Sequence, residues 1–290
     1  MQVAKLLFTA VLVSLAEMPE ASACSCVLFD ATGFIAQDGA LPANAKGVLW
    51  VGRTKPEPGD IAVYILRRNH EPRAIAYTVT DLSDVLSRPW PVYLVSPKAK
   101  LSPGQRLRFV ATNTGRDKAD GTHPIQTRNY VVSSKKLVAV ATPLALTASP
   151  ATVGQLVLRT SGMCSSTATT ANQALALVLP PALLPFVEQL WFETLVDGNV
   201  WQPATDVCDD DVPGRSWVGP AKDLIYRRCS TTRFAKADEG VVSDAVVVRM
   251  RVTAPSVAPD FQLESDTFDV KLTCPAPPLP NIPAAPVLPR

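Results

Sequence analysis

VVVRMRVT, at residues 246–253, has the most regular alternation of side chains in this sequence. Its even-numbered residues are all apolar and share one face, as the period of two in a half-buried strand requires. TFDVKLTC, at residues 267–274, repeats this period after a short gap, and its apolar row ends at Cys274. The two runs are therefore predicted to be neighbouring strands of one sheet, with Cys274 facing the core as a candidate for a disulfide between two sheets.

The length and composition of the chain fit a tandem of two β-sandwiches. Its 290 residues suffice for two domains that each bury a core, and an apolar share of 47% with a charged share of 19% is typical of globular proteins. Many of the 27 prolines stand between apolar runs, where they end strands and prevent long helices. We therefore predict an all-β protein of two Ig-like or fibronectin-like sandwiches, at residues 24–138 and 139–274.

The charge of the chain argues against a nucleic-acid partner. The formal net charge is +2, and the basic residues are scattered, with no cluster beyond pairs such as Lys135 and Lys136. A nucleic-acid-binding domain instead gathers lysine and arginine on one face. The surface is predicted to be solvated and mixed in sign.

The first 23 residues have the three parts of a secretory signal peptide. Lys5 lies in a short basic region, an apolar run follows at residues 6–16, and Ala21-Ser22-Ala23 ends the segment. Cleavage is expected after Ala23. The apolar run is shorter than the roughly 20 residues that cross a bilayer as a helix. We therefore predict a protein that does not span a membrane and that is secreted, periplasmic or held at the cell surface.

Cys24 would be the first mature residue, and three interpretations of it stay open. Ala21-Ser22-Ala23-Cys24 resembles a bacterial lipobox, which implies a lipid anchor on Cys24, although Ala21 replaces the usual leucine. The Cys24-Ser25-Cys26 start is also similar to netrin-like inhibitors of metalloproteinases, whose dense cysteine framework this chain lacks. In the third interpretation the two cysteines are structural or mutually oxidised thiols.

Short apolar runs fill the first predicted domain at spacings typical of a sandwich. The predicted strands lie at residues 47–51, 61–66, 74–79, 92–95 and 107–111. Turn signals separate them: KPEPG at 55–59, NHEP at 69–72 and SPG at 102–104.

Three motifs within residues 39–133 carry a family resemblance. LPANAKGVLW at 41–50, LSPGQRLRF at 101–109 and DKADG at 117–121 occur in the order found in the bacterial Ig-like domains of surface-layer proteins. The third motif departs from the family by ending in aspartate and glycine. The resemblance implies a sandwich that acts as a spacer or a binding module, because those domains share no catalytic site.

The second predicted domain has further strand-sized runs and one strong hairpin signal. The runs lie at residues 155–159, 173–179, 189–196 and 224–227. Asp197-Gly198 between two of the apolar runs is a dipeptide that accepts positive φ, so a tight hairpin is predicted there. The proline-rich tail at 275–290 is predicted to be extended and solvated.

Four cysteines of the second domain are candidates for disulfides. Export favours disulfides over metal ligation, and Cys24 and Cys26 are too close in sequence for the usual zinc spacing. We predict the pairs Cys208–Cys229 and Cys164–Cys274, each contributing about 3 to 5 kcal/mol in the chain-entropy model.

Neither histidine lies in a sequence context typical of catalysis. His70 and His123 stand close to prolines, and nothing resembles the nucleophile motif of a serine hydrolase. We therefore expect no enzyme activity, no cofactor and no metal centre.

An acidic loop in the second domain is the predicted binding surface. Asp209, Asp210 and Asp211 follow Cys208, and their spacing is not that of an EF-hand, so a solvated loop is favoured over a calcium site. Trp217 in the same loop would anchor a sugar ring or a protein partner if it is exposed, and would plug the end of the sandwich if it is buried.

These observations predict an exported, non-catalytic interaction or adhesion module whose partner is a protein or glycan at the cell surface. The alternative is an inhibitor or enzyme-accessory protein that acts through the mature amino terminus at Cys24.

Overall fold

The protein is all-β, as the alternation of its side chains predicts. The computed structural model describes residues 33–52, 55–84, 86, 91–112, 125–139, 143–159, 165–201, 220–229, 240–258 and 260–275. Within these residues the single helix is a short 3₁₀ helix, Leu184–Gln189, in the proline-rich stretch where a helical turn is predicted.

Nine strands form two sheets that face each other in the first part of the chain. The strands are β1 (Gly33–Phe34), β2 (Gly39–Leu41), β3 (Val48–Val51), β4 (Ile61–Arg67), β5 (His70–Ile75), β6 (Tyr77–Asp81), β7 (Val92–Pro97), β8 (Arg106–Ala111) and β9 (Gln126–Val132). Their orders are β1-β3-β7-β6 and β2-β9-β8-β4-β5. β2 runs parallel to β9, and the other pairs are antiparallel.

A row of aromatic rings crosses the core between these two sheets. Phe34 packs edge-to-face on Trp50 at 5.0 Å and on Phe109 at 5.6 Å, and Phe109 packs on Tyr130 at 5.6 Å between ring centroids. Edge-to-face contact matches the positive edge of one ring to the negative face of the next. The buried hydroxyl of Tyr130 donates to the carbonyl oxygen of Ala36 at 2.8 Å, and burial raises the pKa of Tyr130. The row therefore ties both sheets together.

Nine further strands form a second pair of sheets. They are β10 (Ala145–Ala148), β11 (Thr152–Arg159), β12 (Ser165–Val178), β13 (Trp191–Val196), β14 (Asn199–Val200), β15 (Lys222–Arg228), β16 (Ala245–Thr253), β17 (Gln262–Glu264) and β18 (Phe268–Lys271). In one sheet β12 pairs with β10, β11 and β15, and the other sheet has the order β14-β13-β16-β17 with β18 also paired to β16. Buried side chains of both sheets share one core.

The two runs that decide the fold are neighbouring strands, which confirms the prediction. β16 and β18 pair antiparallel, with Val246 opposite Val270 and Val248 opposite Phe268. The predicted apolar face of β16 is buried, with Met250 1% exposed and Val248 fully buried. Asp197-Gly198 also forms the predicted hairpin, with φ values of 48° and 81°.

Two strands of the first sandwich differ from the sequence-based expectation. The predicted turn at 69–72 is shorter, because only Asn69 has a positive φ and β5 already begins at His70. Most side chains of β5 are exposed on both faces, so it has no apolar row to reveal it. The single strand predicted at 74–79 is wrong, because the chain passes from one sheet to the other between Ile75 and Tyr77. β9 was not predicted either, because its first four residues, QTRN, are polar and the exposed Val131 separates the buried Tyr130 and Val132, so no apolar alternation is visible.

The two sandwiches touch through the aromatic side chain of Trp191 and through hydrogen bonds between Asn44 and Leu137, which we name the polar clamp. Trp191 of β13 is buried in a small apolar cluster with Leu49, Leu86, Val92 and Leu94. In addition, the backbone N–H of Lys46 donates to the carbonyl oxygen of Ser256 at 2.6 Å.

The polar clamp holds the connection between the sandwiches. The side-chain amide of Asn44, in the family-like LPANAKGVLW motif, donates to the carbonyl oxygen of Leu137 at 2.8 Å and accepts from its N–H at 2.9 Å. Leu137 itself is buried in the second core. The domain limits at 24–138 and 139–274 stay predictions.

No helix in the described ranges is both long enough and apolar enough to cross a membrane.

Candidate functional site

The structure describes the residues that flank the predicted binding loop, but not the residues of the loop itself. The predicted site residues that lie outside the described ranges are Cys24, Cys164, Cys208, Asp209, Asp210, Asp211 and Trp217. The described residues that flank the segments 202–219 and 230–239 define where these segments begin and end.

Trp201 fixes the point from which the segment 202–219 departs. Its indole N–H donates to the carbonyl oxygen of Leu224 on β15 at 3.0 Å. Its ring meets Tyr226 edge-to-face, with 5.6 Å between centroids. Trp201 packs against the main core and also against a smaller apolar cluster of Leu156, Ala168, Leu224 and Tyr226. The ring is thus held by apolar packing and by the hydrogen bond from its one donor.

Gly240 fixes the point at which the segment 230–239 ends. Its φ is +73°, a conformation that favours glycine, and the N–H of Val241 donates to the carbonyl oxygen of Tyr226 at 2.9 Å. A Cβ at Gly240 would lie 2.1 Å from that oxygen and 2.7 Å from the Tyr226 ring. Both segments are therefore attached beside Tyr226.

A disulfide between Cys229 and Cys274 completes this frame. Cys229 follows β15 and Cys274 follows β18, so the bond joins the two sheets of the second sandwich, with 5.3 Å between the Cα atoms. The N–H of Cys229 also donates to the carbonyl oxygen of Thr169 at 2.8 Å. We name the set Trp201, Tyr226, Cys229, Gly240 and Cys274 the loop frame.

This disulfide corrects the predicted connectivity. The pairs Cys208–Cys229 and Cys164–Cys274 are wrong, because Cys229 and Cys274 are bonded to each other. The ends of β15 and β18 meet across the sandwich, a proximity that distance along the chain does not reveal. The oxidation of Cys274 and its packing against the core are confirmed, although its side chain is half-buried rather than fully enclosed.

Charged contacts hold the chain next to the disulfide. Arg227 forms an ion pair with Asp244, and its guanidinium donates to the carbonyl oxygen of Leu272 at 3.5 Å. Since Leu272 precedes Cys274 by two residues, these contacts fix the same strand ends that the disulfide joins.

The two histidines are the side chains that a catalytic or metal-binding site would most often use. His70 is exposed on β5, and His123 lies outside the described residues. Within the described part of the chain, no three His, Cys, Asp or Glu side chains lie close enough together to hold a metal ion.

A cleft of about 840 Å³ lies in the first sandwich, away from the loop frame. It is bounded by the loop before β4, by Ile61 at the start of β4, and by the segment where the chain passes from β5 to β6. Its lining residues are Lys55, Pro56, Glu57, Pro58, Gly59, Ile61, Ile75, Ala76, Tyr77, Thr78 and Val79. Sequence reasoning missed this cleft, since it treated the proline-rich KPEPG run only as a turn.

Tyr77 connects the two walls of the cleft. Its hydroxyl lies near the backbone N–H groups of Gly59 and Ile61, which lower its pKa, and its ring packs against the first core. Burial raises the pKa of Tyr77, and the nearby carboxylate of Asp60 raises it further. The phenol is thus a neutral hydrogen-bonding group at neutral pH.

Comparisons with known proteins show no family. No family model matches the chain, and no curated protein matches it. The solved structures that match include the N-terminal part of the bacterial S-layer protein SbsC, at 8% identity and a TM-score of 0.23. The match covers 81% of this chain and 43% of that chain. A likeness at this level says nothing about what the protein binds, and the resemblance of residues 39–133 to surface-layer Ig-like domains stays a prediction.

Proposed function

We propose that this protein is an exported, non-catalytic interaction or adhesion module whose partner is a protein or glycan at the cell surface. The observation that supports this most directly is the loop frame. It holds the start of the segment 202–219 and both ends of the segment 230–239 on one sandwich, and loops carried by a rigid scaffold are where sandwich proteins commonly keep their binding residues.

The chemistry of the frame is consistent with an extracytoplasmic location. A disulfide such as Cys229–Cys274 persists in oxidising compartments and is rare in the reducing cytosol. The signal-like first 23 residues point the same way.

Trp217→Ala is expected to weaken binding to isolated cell envelopes of the producing organism by about 30-fold. A tryptophan anchor at an interface is typically worth about 2 kcal/mol, and 1.4 kcal/mol is a factor of ten. The measurement is a co-sedimentation isotherm with the purified mature protein. The matched control is Val153→Ala, which truncates a 50% exposed apolar residue elsewhere in the second sandwich and should leave binding unchanged. Full binding by the Trp217→Ala variant would contradict the role of the loop.

Calcium is expected to leave the melting temperature unchanged, because the acidic loop is predicted to be solvated. A ligand present at about 100 times its Kd would instead stabilise the native state by about 2.7 kcal/mol. Calorimetry with added CaCl₂ and with EDTA measures the difference. A rise that disappears in the variant with Asp209, Asp210 and Asp211 all replaced by Asn would contradict this expectation and establish a metal site.

A further inference from the structure

The outer edge of β6 presents backbone hydrogen-bonding groups that no described strand uses. β6 is the last strand of its sheet, with β7 on its inner side. The N–H of Lys98 donates to the carbonyl oxygen of Ala76, and the N–H of Leu82 donates to that of Val92, each at 2.8 Å. Residues of an antiparallel strand alternate in direction. The backbone groups of the odd-numbered residues between them, Tyr77, Val79 and Asp81, therefore face outward.

The composition of β6 leaves this edge open to pairing. Its sequence YTVTD is rich in β-branched and aromatic residues and has no proline or lysine. β5, the edge strand of the opposite sheet, carries Glu71, Pro72 and Arg73, the residue types with which proteins block unwanted edge pairing. Of these two edge strands, β6 has the composition better suited to pairing with a further strand.

The cleft lies along this open edge. Tyr77, Thr78 and Val79 of β6 line it together with Ile61 and Ile75, which supply apolar surface. The opposite wall is the loop with Pro56 and Pro58, and the Tyr77 hydroxyl lies near the end of this loop at Gly59. A strand that paired with β6 would place alternate side chains into the cleft.

The two ends of the cleft differ in charge. At the Asp81 end, Ser83 donates to the Asp81 carboxylate, and Lys55 supplies a nearby positive charge. At the Tyr77 end are two acidic residues, Glu57 and Asp60, and the Asp60 carboxylate accepts from the backbone N–H of Glu57 at 2.7 Å. Neither of these two carboxylates forms an ion pair with another described residue. This end therefore complements a positive charge on the partner.

We propose that the cleft is a docking site for an extended peptide segment of a partner protein, which adds to β6 as a further strand. Apolar side chains at alternate positions of the peptide enter the cleft, and a lysine or arginine lies beside Glu57 and Asp60. This is recognition by strand addition, in which main-chain hydrogen bonds supply affinity and side-chain pockets supply specificity. The inference rests on the proposed function and gives the interaction module a partner class at a site separate from the loop frame.

Val79→Pro provides the decisive variant. It removes the outward N–H of Val79 and leaves the pairs between β6 and β7 intact, a position at which an edge strand tolerates proline. The probe is the peptide Lys-Thr-Val-Thr-Val-Thr-Val-amide with fluorescein on its N-terminal amine, which leaves the lysine side chain charged, and the readout is fluorescence anisotropy. Val79→Pro is expected to weaken peptide binding at least tenfold. The matched control Val79→Ala keeps the N–H and should lose only a few-fold in affinity.

Modified peptides test the inference without altering the protein. Two versions of the probe carry N-methyl groups on either the odd or the even residues. Only one set of peptide N–H groups faces β6 in a strand pair, so one version should fail to bind and the other should bind. Equal binding of both versions, or no binding of the parent peptide, would overturn the inference.

The remaining outcomes separate this inference from the proposed function. A variant Val79→Pro that still binds the peptide as the parent does would overturn strand addition. A dimer in sedimentation that Val79→Pro abolishes would also overturn it, because a second copy would then occupy the edge. Envelope binding that Trp217→Ala abolishes while the peptide shows no binding would uphold the loop and reject the cleft. Full envelope binding by the Trp217→Ala variant, together with peptide binding that Val79→Pro weakens, would uphold the cleft and reject the loop.

Discussion

Loss of the Cys229–Cys274 disulfide is expected to lower the free energy of unfolding of the second sandwich by about 4 kcal/mol. The two residues are 45 apart in sequence, and the chain-entropy model gives about this value for a loop of that length. The variant carries Cys229→Ser and Cys274→Ser together, so that no thiol is left to form a different bond at this position. Guanidinium unfolding followed by circular dichroism measures the change.

The single variants serve as controls for this prediction. Cys229→Ser leaves Cys274 without its partner, so non-reducing peptide mapping should find Cys274 as a free thiol. The single and double variants should lose similar stability, because each lacks the same bond. A double variant within about 1 kcal/mol of the parent protein would contradict the structural role, since native disulfides of small exported domains typically contribute 2–5 kcal/mol.

Phe109→Ala is expected to cost the first sandwich about 3 to 5 kcal/mol, the range for removing a fully buried aromatic side chain. Phe109 is fully buried and contacts both Phe34 and Tyr130, so its truncation interrupts the aromatic row that crosses the core. Urea unfolding followed by circular dichroism measures the loss. The matched control is Val110→Ala, on the opposite face of β8 and half-buried, which should cost about 1 kcal/mol or less. Equal effects of the two substitutions would contradict the central place of Phe109.

Together these two variants test whether the sandwiches unfold separately, as the sequence predicts. Separate units would show two transitions in calorimetry, with Phe109→Ala lowering one and the cysteine variant lowering the other. A single transition that both variants lower would show strong coupling. Trp191 and the clamp between Asn44 and Leu137 are the contacts that would carry it.

The sequence predicts those parts of the fold whose buried face has a visible period. β16 is the clearest case, because every second residue of its run is apolar and buried. β5 escaped prediction for the opposite reason, since a strand with most side chains exposed carries no such row. The hairpin at Asp197-Gly198 was predictable because its backbone conformation depends on two adjacent residues alone.

The features that sequence reasoning missed depend on contacts between sheets. The bond from Cys229 to Cys274 joins strand ends on facing sheets, and many pairings of six cysteines are compatible with the spacing alone. The cleft likewise exists because the chain passes from one sheet to the other between Ile75 and Tyr77. Of the predicted binding loop, the sequence identified the segment but not the contacts of Trp201 with Leu224 and Tyr226 that fix where the segment begins.

The position of the disulfide also determines how mechanical load would travel through the second sandwich. β18 is held to β16 by four residue pairs, so a pull on the chain beyond Pro275 would otherwise open this short ladder one pair at a time. A pull from this end reaches Cys274 before it reaches β18. The disulfide therefore passes part of the tension to Cys229 and β15, which has seven residue pairs with β12. Tension is thus shared by both sheets at once. A protein that holds two surfaces together under shear flow would need this distribution of force.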